Sequence, residues 1–155
     1  MLQNKESIKE ITTGLSLELS NDEVISLDEL LENTDTDNLN DIITFTKETD
    51  LETDYLEIIE LVNNGINNSN DFYIEIGNQE YRFIHNDVIE DEFYNCNVDL
   101  VDECYLNNVP EMVKIYFDYD AFVKDCSYDG YANSFSSYDG TTEIELSKYR
   151  VFRTN

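Results

Sequence analysis

Residues 72–83 read FYIEIGNQEYRF and carry the clearest fold signal of the chain. Apolar and polar residues alternate on both sides of Gly77-Asn78, which is typical of a tight β-hairpin. Apolar residues at helical spacing precede this stretch, over residues 39–47 and 50–65, and return after it, over residues 87–107. The sequence therefore predicts an α+β protein in which short acidic helices accompany small antiparallel sheets.

The region before the hairpin is predicted to be mainly helical. A short strand is expected at residues 15–19 and a capped helix at residues 26–32, ahead of the two helices named above. Asn63-Asn64-Gly65 is expected to end the second of those helices. We therefore divide the chain into an N-terminal, mainly helical part, residues 1–70, and a C-terminal α+β part, residues 71–155.

The C-terminal part is predicted to continue with helices and to close with a hairpin. The helix over residues 87–107 is expected to break near Asn95–Asn97, and Pro110 suits the first position of another helix. Two strands are expected at residues 131–137 and 141–146, joined by a turn at Asp139-Gly140.

Residues 116–126, YFDYDAFVKDC, interleave aromatic residues with carboxylates. We interpret them as a helix that is capped by Asp118 and exposes Asp120 and Lys124 as an i, i+4 pair. The predicted buried stripe follows helical spacing. Its members are Tyr119, Phe122, Val123 and Cys126.

The charge of the chain is extreme. Thirty-five acids against nine bases give 155 residues a formal net charge of −26, while 41% hydrophobic residues still allow a packed core. Direct nucleic-acid binding needs a basic stripe, which the sequence lacks, and an anionic membrane surface is disfavoured for the same reason. The N-terminus has no signal-peptide pattern, and no apolar run is long enough to span a membrane. Three cysteines without disulfide-framework spacing indicate a reducing cytoplasm.

No pattern in the sequence points to catalysis, a metal or a cofactor. His85 is the only histidine, and no family signature surrounds Cys96, Cys104 or Cys126. The Asn33-x-Asp35-x-Asp37 start of a calcium loop has Asn and Thr where glycine and glutamate are needed, at its sixth and twelfth positions. We therefore expect no enzyme activity, no cofactor and no metal site.

Mimicry of an acidic polymer agrees with the charge. B-DNA carries one charge per about 1.7 Å of axis, so 26 charges correspond to roughly 13 base pairs. A generic acidic interaction protein, with merely solvated acidic faces, is the alternative that composition leaves open. The acids that we expect to face a partner are Asp87, Glu90, Asp91, Glu92, Asp99, Asp102, Glu103, Asp120, Asp125 and Asp129.

The C-terminal part resembles the ArdA-type antirestriction proteins. The resemblance spans residues 82–147 and is carried by RFIHND at 82–87, Val109-Pro110 and YFDYDAFVKD at 116–125, with a weaker similarity over residues 24–62. The chain departs from the family in having little before residue 24.

This resemblance implies an elongated, often dimeric DNA mimic from a mobile element. Such a protein occupies the basic DNA-binding groove of a type I restriction–modification enzyme in the bacterial cytoplasm, and a homodimer is one expected state. Inhibition of a CRISPR Cas effector by the same mimicry remains an alternative, because its nucleic-acid channel is also basic. A non-mimic acidic regulatory protein is the other.

Overall fold

The computed structural model describes residues 34, 36–49 and 55–155. In chain order, the elements are α1 (Thr36–Thr49), α2 (Tyr55–Asn68), β1 (Asp71–Ile76), β2 (Gln79–His85), α3 (Ile89–Leu100), a π-helix (Val101–Tyr105), α4 (Glu111–Lys114), α5 (Tyr119–Ser127), α6 (Tyr131–Phe135), β3 (Glu143–Glu145) and β4 (Tyr149–Arg153). The α+β class is confirmed. The strand predicted at residues 15–19 and the helix predicted at 26–32 lie outside the described residues.

The described strands form one antiparallel sheet in the order β1-β2-β4-β3. The predicted hairpin is present: Ile74 faces Tyr81 across it, and Gly77 takes a positive φ of 60° in its turn. Glycine suits this position because it adopts a positive φ without steric cost. β4 then pairs with β2, so that Phe83 lies opposite Val151.

One face of the sheet packs against α1 and α2. The helices contribute residues at helical spacing, and the strands contribute alternate residues, since successive strand side chains point to opposite faces. This first core comprises Leu39, Ile42, Ile43, Phe45, Ile58, Ile59, Val62, Ile74, Ile76, Tyr81, Phe83, Leu146, Tyr149 and Val151. The described helices of residues 1–70 thus share a core with the sheet of residues 71–155.

The opposite face of the sheet packs against α3, α5 and α6. Ile84 of β2 and Phe152 of β4 point to this side, where the second core also contains Ile89, Phe93, Val123 and Phe135. The ring of Phe135 lies 5.2 Å from that of Phe152, centroid to centroid. The sheet therefore has a helical layer on each side, and the second layer carries most of the predicted partner-facing acids.

The predicted end of the second helix at Asn63-Asn64-Gly65 is wrong, because α2 continues to Asn68. Gly65 is needed for packing: a Cβ atom there would lie 2.2 Å from Cε2 of Phe72. Phe72 in turn stacks on Phe83, with ring centroids 4.7 Å apart. The glycine makes room for this aromatic pair under the helix.

The predicted break near Asn95–Asn97 is also wrong. Asn97 is buried within α3, and its Nδ2 donates to the carbonyl oxygen of Phe93 at 2.9 Å, so the amide is satisfied inside the helix. The irregularity lies further on, in the π-helix. Pro110 stands one residue earlier than predicted, at the N-cap of α4.

The predicted closing hairpin at residues 131–137 and 141–146 is wrong in its first strand. Residues 131–135 form α6, because Tyr131 and Phe135, one helical turn apart, both pack on the ring of Phe93. The second strand survives as β3, but its partner is β4, which the sequence patterns did not predict.

Candidate protein-binding surface

Helix α3 has one buried side and one acidic side. Ile89, Phe93 and Asn97 recur every four residues and are buried. Glu90 and Asp91, which follow Ile89, and Asp99, which follows Asn97, are exposed. Since residues four apart share a face of an α-helix, the packing of the first set turns the second towards solvent.

The π-helix carries the acidic side of α3 further along the chain. Its defining hydrogen bond runs from the amide of Leu106 to the carbonyl oxygen of Val101, at 2.8 Å. Val101 and Leu106 are both buried, and this five-residue turn brings them to the same side. Asp102 and Glu103 are consequently exposed.

Helix α5 begins as predicted. Asp118 is its N-cap, with Oδ1 accepting from the Ala121 amide at 3.0 Å. In the predicted stripe Val123 is buried, whereas Tyr119, Phe122 and Cys126 are half-buried. Asp125 and Asp129, near the far end of α5, are exposed.

Tyrosine–aspartate hydrogen bonds tie α5 to the neighbouring acidic elements. The Tyr94 hydroxyl donates to Asp120 at 3.0 Å, and the Tyr119 hydroxyl donates to Asp102 at 2.6 Å. Each hydrogen bond is the main reason why the pKa of its tyrosine is raised. The predicted ion pair between Asp120 and Lys124 does not form. Asp102 and Asp120 both stay exposed, so the hydrogen bonds from the two tyrosines hold their carboxylates in place at the surface.

Glu92 differs from the other nine predicted acids, all of which are exposed. Glu92 is half-buried, and its Oε2 lies 3.4 Å from a guanidinium nitrogen of Arg82. Asp87 is exposed, and its backbone amide donates to Nδ1 of His85 at 3.0 Å. Of the ten predicted acids, we therefore consider Glu92 the least available to a partner.

Of the basic residues near this surface, Lys114 and Arg82 are paired with acids, whereas Lys124 on α5 is exposed and has no ion pair among the described residues. Lys114 is the only lysine or arginine from residue 83 to residue 123, and its Nζ lies 3.3 Å from Oε1 of Glu111. Arg82 donates to both carboxylate oxygens of Asp71, at 2.9 and 2.6 Å. We call the exposed acids of α3, the π-helix and α5 the acidic face: Glu90, Asp91, Asp99, Asp102, Glu103, Asp120 and Asp125.

Grooves run along both sides of α5. The first has a volume of about 450 Å³, and its lining includes Glu90, Tyr94, Asp120 and Tyr131. The second has a volume of about 630 Å³, and its lining includes Asp99, Glu103, Tyr105 and Phe122. In both, carboxylates stand beside aromatic rings, a combination that suits arginine side chains, and the first groove is also lined by the base Lys124.

Cysteine, histidine and metal chemistry find little support in this region. Burial raises the pKa of the Cys96 and Cys126 thiols, which disfavours the reactive thiolate. Among residues 34, 36–49 and 55–155, no hydrogen bond joins His85 to a cysteine, and no cluster of His, Cys, Asp and Glu could hold a metal ion. None of the described helices is long and apolar enough to cross a membrane.

Sequence reasoning missed a group of exposed apolar residues. Met112, Val113, Ile115 and Tyr116 are 77%, 54%, 74% and 82% exposed. The available signal was the run of apolar residues after Pro110, which only Lys114 interrupts. Such a run is equally compatible with a buried helix, so it did not indicate an exposed patch. Tyr94, as a partner of Asp120, carried no sequence signal at all.

The comparisons with known proteins identify no relative: no family model, no curated protein and no solved structure matches this chain.

Proposed function

We propose that this chain is a DNA-mimic inhibitor that occupies the basic DNA-binding groove of a host defence nuclease, with a type I restriction–modification enzyme as the first candidate. It acts in the bacterial cytoplasm, binds no nucleic acid itself and catalyses no reaction. The observation that supports the proposal is the acidic face, in which seven carboxylates are exposed and the same three elements expose a single base, Lys124.

The density of these carboxylates is close to that of a DNA strand. Residues 89–105, which comprise α3 and the π-helix, extend for about 25 Å at 1.5 Å per residue. Six acids lie on them, including the partly paired Glu92, which is one per roughly 4 Å of helix axis. A single strand of B-DNA carries one phosphate per 3.4 Å. A groove that binds phosphates with lysine and arginine would therefore meet a comparable average charge per unit length.

The same charge density suits the basic nucleic-acid channel of a CRISPR Cas effector, which is the alternative target. A third candidate is an acidic protein that regulates a basic partner by contacts unrelated to DNA. The exposed apolar residues after Pro110 agree with a protein as the binding partner, because contiguous exposed apolar surface marks interaction sites.

Competition with DNA tests this function. Fluorescence anisotropy of a labelled duplex, bound to a type I restriction enzyme or to a Cas effector, should fall as this protein is added at moderate salt. Electrostatic binding should weaken as salt rises, because exposed charges are screened. If neither enzyme loses DNA binding, mimicry of these targets is wrong.

A charge-matched pair of variants separates the acidic face from the overall charge. The test variant is E90Q/D91N/D99N/E103Q. The control is D37N/E48Q/E57Q/E60Q, which removes four exposed acids from α1 and α2. We expect the test variant to lose about tenfold or more in inhibition, at 0.2–1 kcal/mol per exposed pair, and the control to lose little. Equal losses would contradict a role for this face.

A further inference from the structure

An apolar segment projects from the second helical layer. We define it as residues 112–116, in which every side chain except that of Lys114 is large, apolar or aromatic and more than half exposed. No residue of α4 is buried. Contiguous exposed apolar surface is uncommon on monomeric proteins and marks interaction sites.

The segment is held in a defined conformation. Successive turns are closed by hydrogen bonds from the amide of Val113 to the oxygen of Pro110 and from the amide of Tyr116 to the oxygen of Val113, at 2.8 and 3.1 Å. The next residue, Phe117, packs its ring on those of Tyr119 and Phe122, with centroids 5.0 and 6.1 Å away. A preorganised segment loses little conformational entropy on binding.

Acids surround the segment. Glu111 begins α4 and pairs with the one base of the segment, Lys114. Asp118 caps α5, while Asp102 reaches the same area through its hydrogen bond to Tyr119. The charges of Asp102 and Glu111 both contribute to the raised pKa of Tyr119, after its hydrogen bond and burial, which agrees with this proximity.

The acids around the segment indicate which kind of molecule binds it: a second copy of this chain or a basic protein. A second copy would bring another net charge of −26 and an identical acidic border, and like charges opposed across an interface cost affinity. A basic protein surface meets the border favourably. Methionine and tyrosine are also enriched at the centres of protein interfaces.

We propose that residues 112–116 are an apolar anchor that packs against an apolar patch of the partner protein, a patch bordered by lysine or arginine. The inference deepens the proposed function and rests on it for the identity of the partner. Mimicry of DNA alone gives binding that salt removes. The anchor adds a contribution that salt does not screen, and it selects among basic proteins those that offer an apolar patch.

Peptide probes test the anchor independently of any enzyme. Two labelled helical peptides carry the same number of arginines, and one has leucine where the other has serine on the opposite face. We expect the wild-type protein to bind the leucine peptide on the order of tenfold more tightly. This preference should persist when NaCl is raised. Equal affinity for both peptides, or no measurable affinity for either, overturns the inference.

A matched pair of tyrosine variants locates the effect. Tyr116 is 82% exposed within the anchor, and Tyr128 is 75% exposed outside it, so neither is needed for the core. Y116S should abolish the preference for the leucine peptide, whereas Y128S should retain it. Equal behaviour of the two variants contradicts the anchor. So does sedimentation that shows a dimeric wild-type protein and a monomeric Y116S, because residues 112–116 would then bind a second copy of the chain.

The DNA-competition assay with Y116S distinguishes the two proposals. Wild-type protein that prefers the leucine peptide but displaces no DNA disproves the proposed function alone. The anchor alone is disproved if the wild-type protein displaces DNA, Y116S displaces it equally well, and the wild-type protein shows no preference for the leucine peptide.

Discussion

Asp41 illustrates how individual carboxylates of this chain serve the fold. It is 2% exposed on α1, and its Oδ1 accepts from the amide and the hydroxyl of Ser147, at 2.7 and 2.5 Å. Its Oδ2 accepts from the amide of Lys148 at 3.2 Å. A buried carboxylate with these partners fixes the β3–β4 turn against α1, whereas one without them would be costly.

Asp139 gives the fold a dependence on pH. Its carboxylate accepts from the amides of Thr141 and Thr142, at 2.9 and 2.8 Å, and from the hydroxyls of Ser136 and Thr142. The hydrogen bonds from Thr142, followed by that from Thr141, hold the pKa of Asp139 well below its ordinary value. The ionised form is therefore favoured in the folded state.

We predict that D139N lowers stability at pH 7 and has a smaller effect at pH 3. A carboxylate with a depressed folded pKa stabilises the fold above its unfolded pKa, about 3.9, and this stability is lost as pH falls. Urea unfolding of both proteins at the two pH values measures the difference. D129N is the control, because Asp129 stands in the same Ser-Tyr-Asp-Gly context and its carboxylate has no hydrogen bond among the described residues. An effect of D139N that is the same at both pH values would contradict the prediction.

At this scale, residue type predicted exposure but could not identify the exceptions. Most acids of α3 and α5 are exposed, as expected from the cost of burying a charge. Glu92 and Asp41 differ because their partners, Arg82 and Ser147, lie ten and 106 positions away in the sequence. Only the folded chain brings such pairs together.

At the scale of elements, Gly65 sets the spacing between α2 and the sheet. We predict that G65A destabilises the protein, although alanine favours a helix over glycine by about 1 kcal/mol. The added methyl group would overlap the ring of Phe72, and overpacking of a core costs typically 1–3 kcal/mol. Chemical denaturation should show a net loss for G65A.

A double-mutant cycle checks the cause. F72L shortens the side chain that the new methyl group would meet, so G65A should cost less in the F72L background than in the wild type. An unchanged cost would mean that the steric explanation is wrong.

Local elements were predictable and distant pairings were not. The β1–β2 hairpin carries its alternation and its turn within residues 71–85, so its pattern was sufficient. β4 buries residues on both faces, Val151 towards one core and Phe152 towards the other, which removes the alternation that marks a half-buried strand. Tyr131 and Phe135 were predicted to lie in a strand, because five positions are too few to distinguish the helical period of apolar residues from the strand period.

For the molecule as a whole, the net charge of −26 should make stability depend on salt. We predict that raising NaCl from 0.1 to 1 M, which shortens the Debye length from about 10 to 3 Å, stabilises the protein at pH 7. Thermal unfolding should show a melting temperature that rises by several degrees. A change of 1 kcal/mol in unfolding free energy corresponds to about 2–4 °C in melting temperature for a protein of this size.

The isoelectric point supplies the control. Near pH 4.1 the net charge is small, and the same salt change should have a much weaker effect. A melting temperature at pH 7 that does not respond to NaCl would show that self-repulsion in the folded state is minor.

The candidate surface was predictable in its chemistry but not in its arrangement. Composition alone indicated a strongly acidic protein, for which a basic partner is one of several possible uses of the charge. The sequence could not place the apolar anchor beside the acidic face, because that placement depends on the packing of Phe117 against Phe122 and on the π-helix. The resemblance to antirestriction proteins stays a prediction.

The outer strands of the sheet bear on how the protein behaves when it is abundant. β1 and β3 are the edges of the described sheet, and they carry Glu75, Glu143 and Glu145. An open edge offers unpaired backbone groups to strands of other molecules, and charged side chains there discourage such pairing. β3 is also only three residues long. The acidity that we assign to partner binding would thus also oppose fibril formation and edge-to-edge aggregation between copies.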